Sequence, residues 1–89
     1  MTTHTSHPNI IKRLKRADGH LKTIIAMLEA GRPCLDIAQQ LQAVESAVTQ
    51  AKKTLVHAHI EHCLEHAVRN RVGEADDTLR EFKAISKYL

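Results

Sequence analysis

Two side chains four residues apart, His59 and Cys63 in the stretch LVHAHIEHCLEHAV, can grip one metal ion if that stretch is helical. On a helix, positions i and i+4 share a face one turn apart. Imidazole and thiolate are donors for borderline and soft transition metals, whereas magnesium and calcium prefer oxygen. His62 and His66 repeat the spacing on a neighbouring stripe. The only other cysteine, Cys34, stands 25 residues before His59. Along one unbroken helix that separation is roughly 37 Å, too far for both to touch one ion.

The elements that must carry these residues are helical. The chain of 89 residues has one Phe, one Tyr and no Trp, and lacks the β-branched alternation of strands. An all-α fold of three helices is expected. The first opens at Pro8, which suits a first helical position, carries Ile10, Leu14, Ala17, Leu21, Ile24 and Leu28 along one seam, and ends at Gly31. The second starts at Pro33 and meets no Gly or Pro until Gly73, with the seam Ile37, Leu41, Val44, Val48, Ala51, Leu55 and Ala58. The third follows Gly73, with Leu79, Phe82, Ile85 or Ser86, and Leu89 on one side. Residues 1–89 read as a single domain, with 1–7 a flexible N-terminal segment.

A rod of that length cannot be covered by so short a chain, so a second copy is expected to cover it. If two second helices pack antiparallel, Ile37 faces Ala58, Leu41 faces Leu55, Val44 faces Ala51 and Val48 faces itself. The same register sets Cys34 of one protomer opposite the span from His59 to Cys63 of its partner. The expectation is an antiparallel helical-bundle homodimer with two identical sites, each made of Cys34, His59 and Cys63 drawn from both chains. The plainer reading treats the cysteines as small buried hydrophobes and the histidines as a solvated face.

The net charge is +3, and its distribution matters more than its sum. Lys12, Arg13, Lys15, Arg16 and Lys22 line the first helix away from its apolar seam, with Gly19 among them, and Lys52 and Lys53 can extend the patch. A basic stripe of this kind is the footprint of phosphate contact on double-stranded DNA. With no aromatic residue available for stacking, single-stranded binding is not expected. No apolar run approaches the roughly 20 residues that span a bilayer. The polar opening MTTHTSHPN lacks the core of a signal peptide, so a cytoplasmic protein with reduced thiols is expected. An enzyme would need a concave pocket with an oriented nucleophile and base, and no long loop is present to build one.

Three features together, the opening IIKRLKRADGHL, the segment AQQLQAVESAV, and the spacing of Cys34, His59 and Cys63, resemble the CsoR/RcnR family of bacterial metal- and stress-sensing transcriptional repressors. The resemblance implies an all-helical dimer that assembles into a tetramer, binds operator DNA when metal-free and releases it on binding metal, allowing expression of an efflux system. Copper(I) sensors of the family use three ligands, and nickel sensors add an N-terminal nitrogen. Here His4 or His7 could supply that nitrogen, while the family's aligned position is Thr2. Copper sensors also carry a supporting tyrosine before the first cysteine and a glutamate in the last helix, where this chain has Pro33 and Leu79. The segments KRLKRADGHL and EAGRPCLDIAQQL look most like the nickel and cobalt branch, so Ni(II) or Co(II) is the expected inducer, with Cu(I) the alternative. Formaldehyde or persulfide sensing through the cysteines, and a metal carrier without DNA binding, are further alternatives. Where many relatives have an arginine on the second helix that helps to bind DNA, this chain has Glu45.

Overall fold

A computed structural model describes residues 7–69 and 72–89. It contains three helices, α1 (His7–Glu29), α2 (Cys34–Arg69) and α3 (Val72–Ser86), with no strand among the described residues. His4 lies outside the described residues. No described helix is long and apolar enough to cross a membrane.

The link from α1 to α2 follows from two residues. Gly31 adopts φ 70°, a left-handed conformation that costs a residue without a Cβ little. There it donates its N–H to Leu28 O at 3.1 Å, while the Arg32 N–H reaches Met27 O at 3.0 Å. This pair of bonds is the Schellman pattern that satisfies the last carbonyls of a helix. Pro33 then accepts the first bond of α2, from the Ile37 N–H at 3.2 Å. Cys34, and not Pro33, is therefore the first residue inside α2. Asp36 supplies the acid that favours a helix N-terminus and pairs with Arg32 at 3.5 Å.

The described residues divide into two compact units, Pro8–Ala51 and a second that joins His7 to the residues from Lys52 onward. In the first, Ile10, Ala17 and Ile24 of α1 and Ile37, Val44 and Ala51 of α2 are buried. Ile24, Ile37 and Val44 form the core cluster, with Met27 packed on it. In the second, Val56 and Cys63 are the buried side chains of α2, and Phe82, Ile85 and Ser86 give α3 its half-buried side.

The expected seams are thus split in two. Every seventh residue from Ile10 and from Ile37 is consumed inside the chain. The alternate members stay exposed: Leu14, Leu21 and Leu28 on α1, and on α2 Leu41 at 46 %, Val48 at 44 % and Leu55 at 39 %. The pairings of Ile37 with Ala58 and of Val44 with Ala51 across a dimer axis are corrected by this burial, because Ile37, Val44 and Ala51 already pack within their own unit. One more boundary differs: α3 takes in Gly73 instead of following it. Leu79 and Leu89, expected on the inner side of α3, are exposed.

Candidate metal centre and nucleic-acid face

α2 carries His59 and Cys63 one turn apart, as the spacing requires, and Cys63 is only 2 % exposed. The third group comes from α3. A nitrogen of His59, the Sγ of Cys63 and a carboxylate oxygen of Glu81 all lie within 4.8 Å of one another. Nε2 of His59 stands 3.7 Å from Oε2 of Glu81. At that separation the two are an electrostatic contact, longer than a hydrogen bond. His62 flanks the group, its ring centroid 6.5 Å from that of His59 and tilted by 56°.

Sequence reasoning missed Glu81. It looked for a last-helix glutamate at position 79 and found Leu79, but α3 turns Leu79 outward and brings Glu81 to His59. The recurrence of an acid near the middle of a short amphipathic helix was the available signal.

Burial pushes the Cys63 thiol up from its ordinary value of 9.0, and the nearby Glu81 carboxylate pushes it further. Both causes penalise a lone thiolate, and a bound cation reverses both, since it neutralises the sulfur and the carboxylate together. Cys63 therefore keeps its proton at neutral pH.

Cys34 is not part of this group. It is exposed, at the first position of α2 and within the other compact unit. His7 opens α1 and belongs to the same unit as His59 and Cys63, but is not one of the three assembled donors.

Lys12, Arg13, Lys15, Arg16 and Lys22 on α1 and Lys52 and Lys53 on α2 are all exposed. Lys22 is held by Asp18 at 3.3 Å. A Cβ built on Gly19 meets nothing within 4 Å, so Gly19 faces open space and the fold itself does not require a glycine there. Glu45 is exposed on α2.

A model of the family described as metal-sensitive transcriptional repressors matches residues 6–87. This chain belongs to that family, whose members are repressors and not enzymes. It is 43 % identical over 65 residues to the copper-sensing transcriptional repressor CsoR of Mycobacterium ulcerans (strain Agy99), a match covering 73 % of this chain and 56 % of that one. It is 36 % identical over 76 residues to the copper-sensing transcriptional repressor RicR of Mycobacterium tuberculosis (strain ATCC 25618 / H37Rv), covering 85 % and 79 %. Thus the chain spans little more than half the length of the first of these relatives. Among solved structures it is similar to the nickel-responsive transcriptional regulator InrS, with a TM-score of 0.82 at 24 % identity over 100 % of this chain and 99 % of that one. That likeness shows the shared all-helical fold.

Proposed function

We propose that this protein is a DNA-binding repressor that leaves its operator when Ni(II) or Co(II) binds, so that a metal efflux gene is expressed. The observation that carries the reading is the meeting of His59, Cys63 and Glu81 in one group, in a chain of the metal-sensitive repressor family. Nitrogen, sulfur and oxygen together suit a borderline divalent ion, whereas Cu(I) is satisfied by sulfur and imidazole and gains little from a carboxylate. Pro33 before Cys34 offers no hydroxyl to support a copper-bound thiolate.

To the His59, Cys63 and Glu81 group of one protomer the ligand set adds Cys34 of its partner, with His4 or His7 as a further nitrogen. The exposed stripe Leu41, Val48 and Leu55 supports the pairing. Taken antiparallel about Val48, Leu41 of one copy meets Leu55 of the other, so the leftover stripe is complementary to itself. Val48→Glu sets two like charges face to face on that axis. It is expected to leave the chain helical by circular dichroism while shifting its sedimentation to the monomer, because Val48 takes no part in the buried core of the single chain. The remaining stripe on α1, Leu14, Leu21 and Leu28, is the surface we assign to pairing of dimers into a tetramer.

A second reading, induction by Cu(I), is favoured by the copper-sensing relatives at 36 to 43 % identity and by Glu81, which can orient His59 instead of ligating. Titrating Ni(II), Co(II) and Cu(I) against labelled operator duplex bound to the metal-free protein tests both. Release by Ni(II) or Co(II), with affinity for DNA reduced by about 5- to 150-fold as is typical of such coupling, is the expected result. Release by Cu(I) alone would move the assignment to the second reading, and indifference to all three metals would remove both.

A further inference from the structure

α2 runs unbroken from Cys34 to Arg69, and the exposed stripe Leu41, Val48 and Leu55 descends it every seventh residue. The two flanks of that stripe differ. On one side, four residues back from Val48 and three residues on from it, stand Val44 and Ala51, both buried inside the chain. On the other, three back and four on, stand Glu45 and Lys52, both exposed. The stripe is therefore bordered by the chain's own core on one side and by an acid and a base on the other.

Several exposed charges of the chain are answered locally. Asp18 pairs with Lys22, Arg32 with Asp36 and Asp77 with Arg80, each three or four residues apart. For Glu45 and Lys52 no residue three or four positions away carries the opposite charge. The two stand seven residues apart on one helix, about 10 Å along its axis, too far to pair with each other. Among the described residues neither takes part in an ion pair.

A second copy supplies what the single chain lacks. With two α2 helices antiparallel about Val48, Leu41 of one copy meets Leu55 of the other, and Glu45 stands level with position 51 of the partner. Lys52 of the partner subunit is one residue further, an offset of about 1.5 Å along the axis. The two-fold axis also sets like flanks together, so the charged border of one helix faces the charged border of the other.

We propose that Glu45 of each copy pairs with Lys52 of the partner subunit, and that these two pairs make the chain select a copy of itself. This rests on the pairing about Val48 given above and adds to it the choice of partner. Any chain with a similar apolar stripe shares the attraction of Leu41, Val48 and Leu55. The flanking charges discriminate. A chain with a base at both positions meets one attraction and one repulsion against this chain, whereas a copy of this chain meets two attractions.

The test uses the full chain, free of metal and DNA, at low salt. Glu45→Lys sets bases against bases across the axis, and Lys52→Glu sets acids against acids. Each is expected to weaken self-association by about tenfold, the sum of two exposed pairs turned from attraction to repulsion, with helicity by circular dichroism unchanged. Mixed in equal amounts, with one variant carrying heavy nitrogen, the two should assemble together beyond the statistical half seen by native mass spectrometry. The double variant Glu45→Lys with Lys52→Glu should regain self-association. In about 1 M salt, where screening reaches roughly 3 Å, the preference should disappear. A statistical mixture of variants that self-associate as tightly as wild type, with Val48→Glu monomeric, would overturn the charge pairs and leave the pairing about Val48 standing. A preference that persists undiminished in 1 M salt would also overturn them, and Val48→Glu that still dimerises as wild type does would remove the pairing and the charge pairs together.

Discussion

Mixing Cys34→Ala protomers with Cys63→Ala protomers is expected to restore a metal-dependent release from DNA that neither variant shows alone. Each variant by itself lacks one thiolate at both sites. Losing a partner that merely supports a ligand costs about 10–100-fold in metal affinity, and losing the ligand costs more. In the heterodimer the cysteine missing from one chain is paired with the cysteine missing from the other. One site is then doubly defective and the second is whole. Only a site shared between chains behaves in this way. Cys34 is exposed and tolerates the change. At buried Cys63 a small void costs on the order of 1 kcal/mol, so both variants should fold. Metal titration of the mixture, read by anisotropy of labelled operator, checks the result. A mixture no more responsive than its parts would confine the site to His59, Cys63 and Glu81 of a single chain.

Metal affinity is expected to climb steeply with pH, and Glu81→Gln to change both its size and its slope. Burial first, and the Glu81 carboxylate second, raise the Cys63 thiol above 9.0. At neutral pH the metal-free protein therefore holds that proton, and an arriving ion must expel it. One released proton makes the apparent affinity rise by about tenfold per pH unit through the range below the raised value. Replacing the carboxylate removes the second cause, so the thiol in Glu81→Gln ionises at lower pH. It should react faster with iodoacetamide at pH 8, and its affinity curve should flatten earlier. Its metal affinity at pH 7 should fall by about 10–100-fold if Glu81 orients His59, and further if it ligates. The same shift acts on stability. A neutral buried thiol favours the fold fully below 9.0, and that contribution is lost as pH rises through 9.0 toward the raised value, because the unfolded chain gives up the proton first. Thermal melts of metal-free protein above pH 9 should therefore decline more for wild type than for Cys63→Ala.

What the sequence disclosed and what it hid divide along physical lines. Gly31 and Pro33 were readable because a left-handed turn and a fixed φ leave residue-level marks. His59 and Cys63 were readable because helical spacing alone sets them on one face. Glu81 was not, since α3's angular position depends on where the helix begins. An error of two residues turns a helix by about 200°, enough to exchange Glu81 for Leu79 as the neighbour of His59. The division of each apolar seam was hidden for another reason. Ile37 and Leu41 are equally apolar, and nothing local says which will be covered by α1 and which left exposed. Likewise nothing local separates Val56, which is buried, from Leu55, which is exposed.

The turn between α1 and α2 has a mechanical meaning. Cys34 lies three residues past Gly31, and the intervening links are the Leu28 and Met27 carbonyl bonds, the locked ring of Pro33 and the Arg32–Asp36 pair. Little of that span is free to stretch or swivel. If Cys34 holds an ion anchored in a second chain, as proposed, a tug on it would not be dissipated in a slack loop but would arrive at the end of α1 as a displacement of that helix. The basic side chains ride on that helix, and their spacing against a rigid duplex would shift by the same stroke. Loosening the coupling, as by inserting two glycines after Gly31, should leave ion capture intact and disconnect it from the grip on DNA, much as a clutch separates an engine from its wheels.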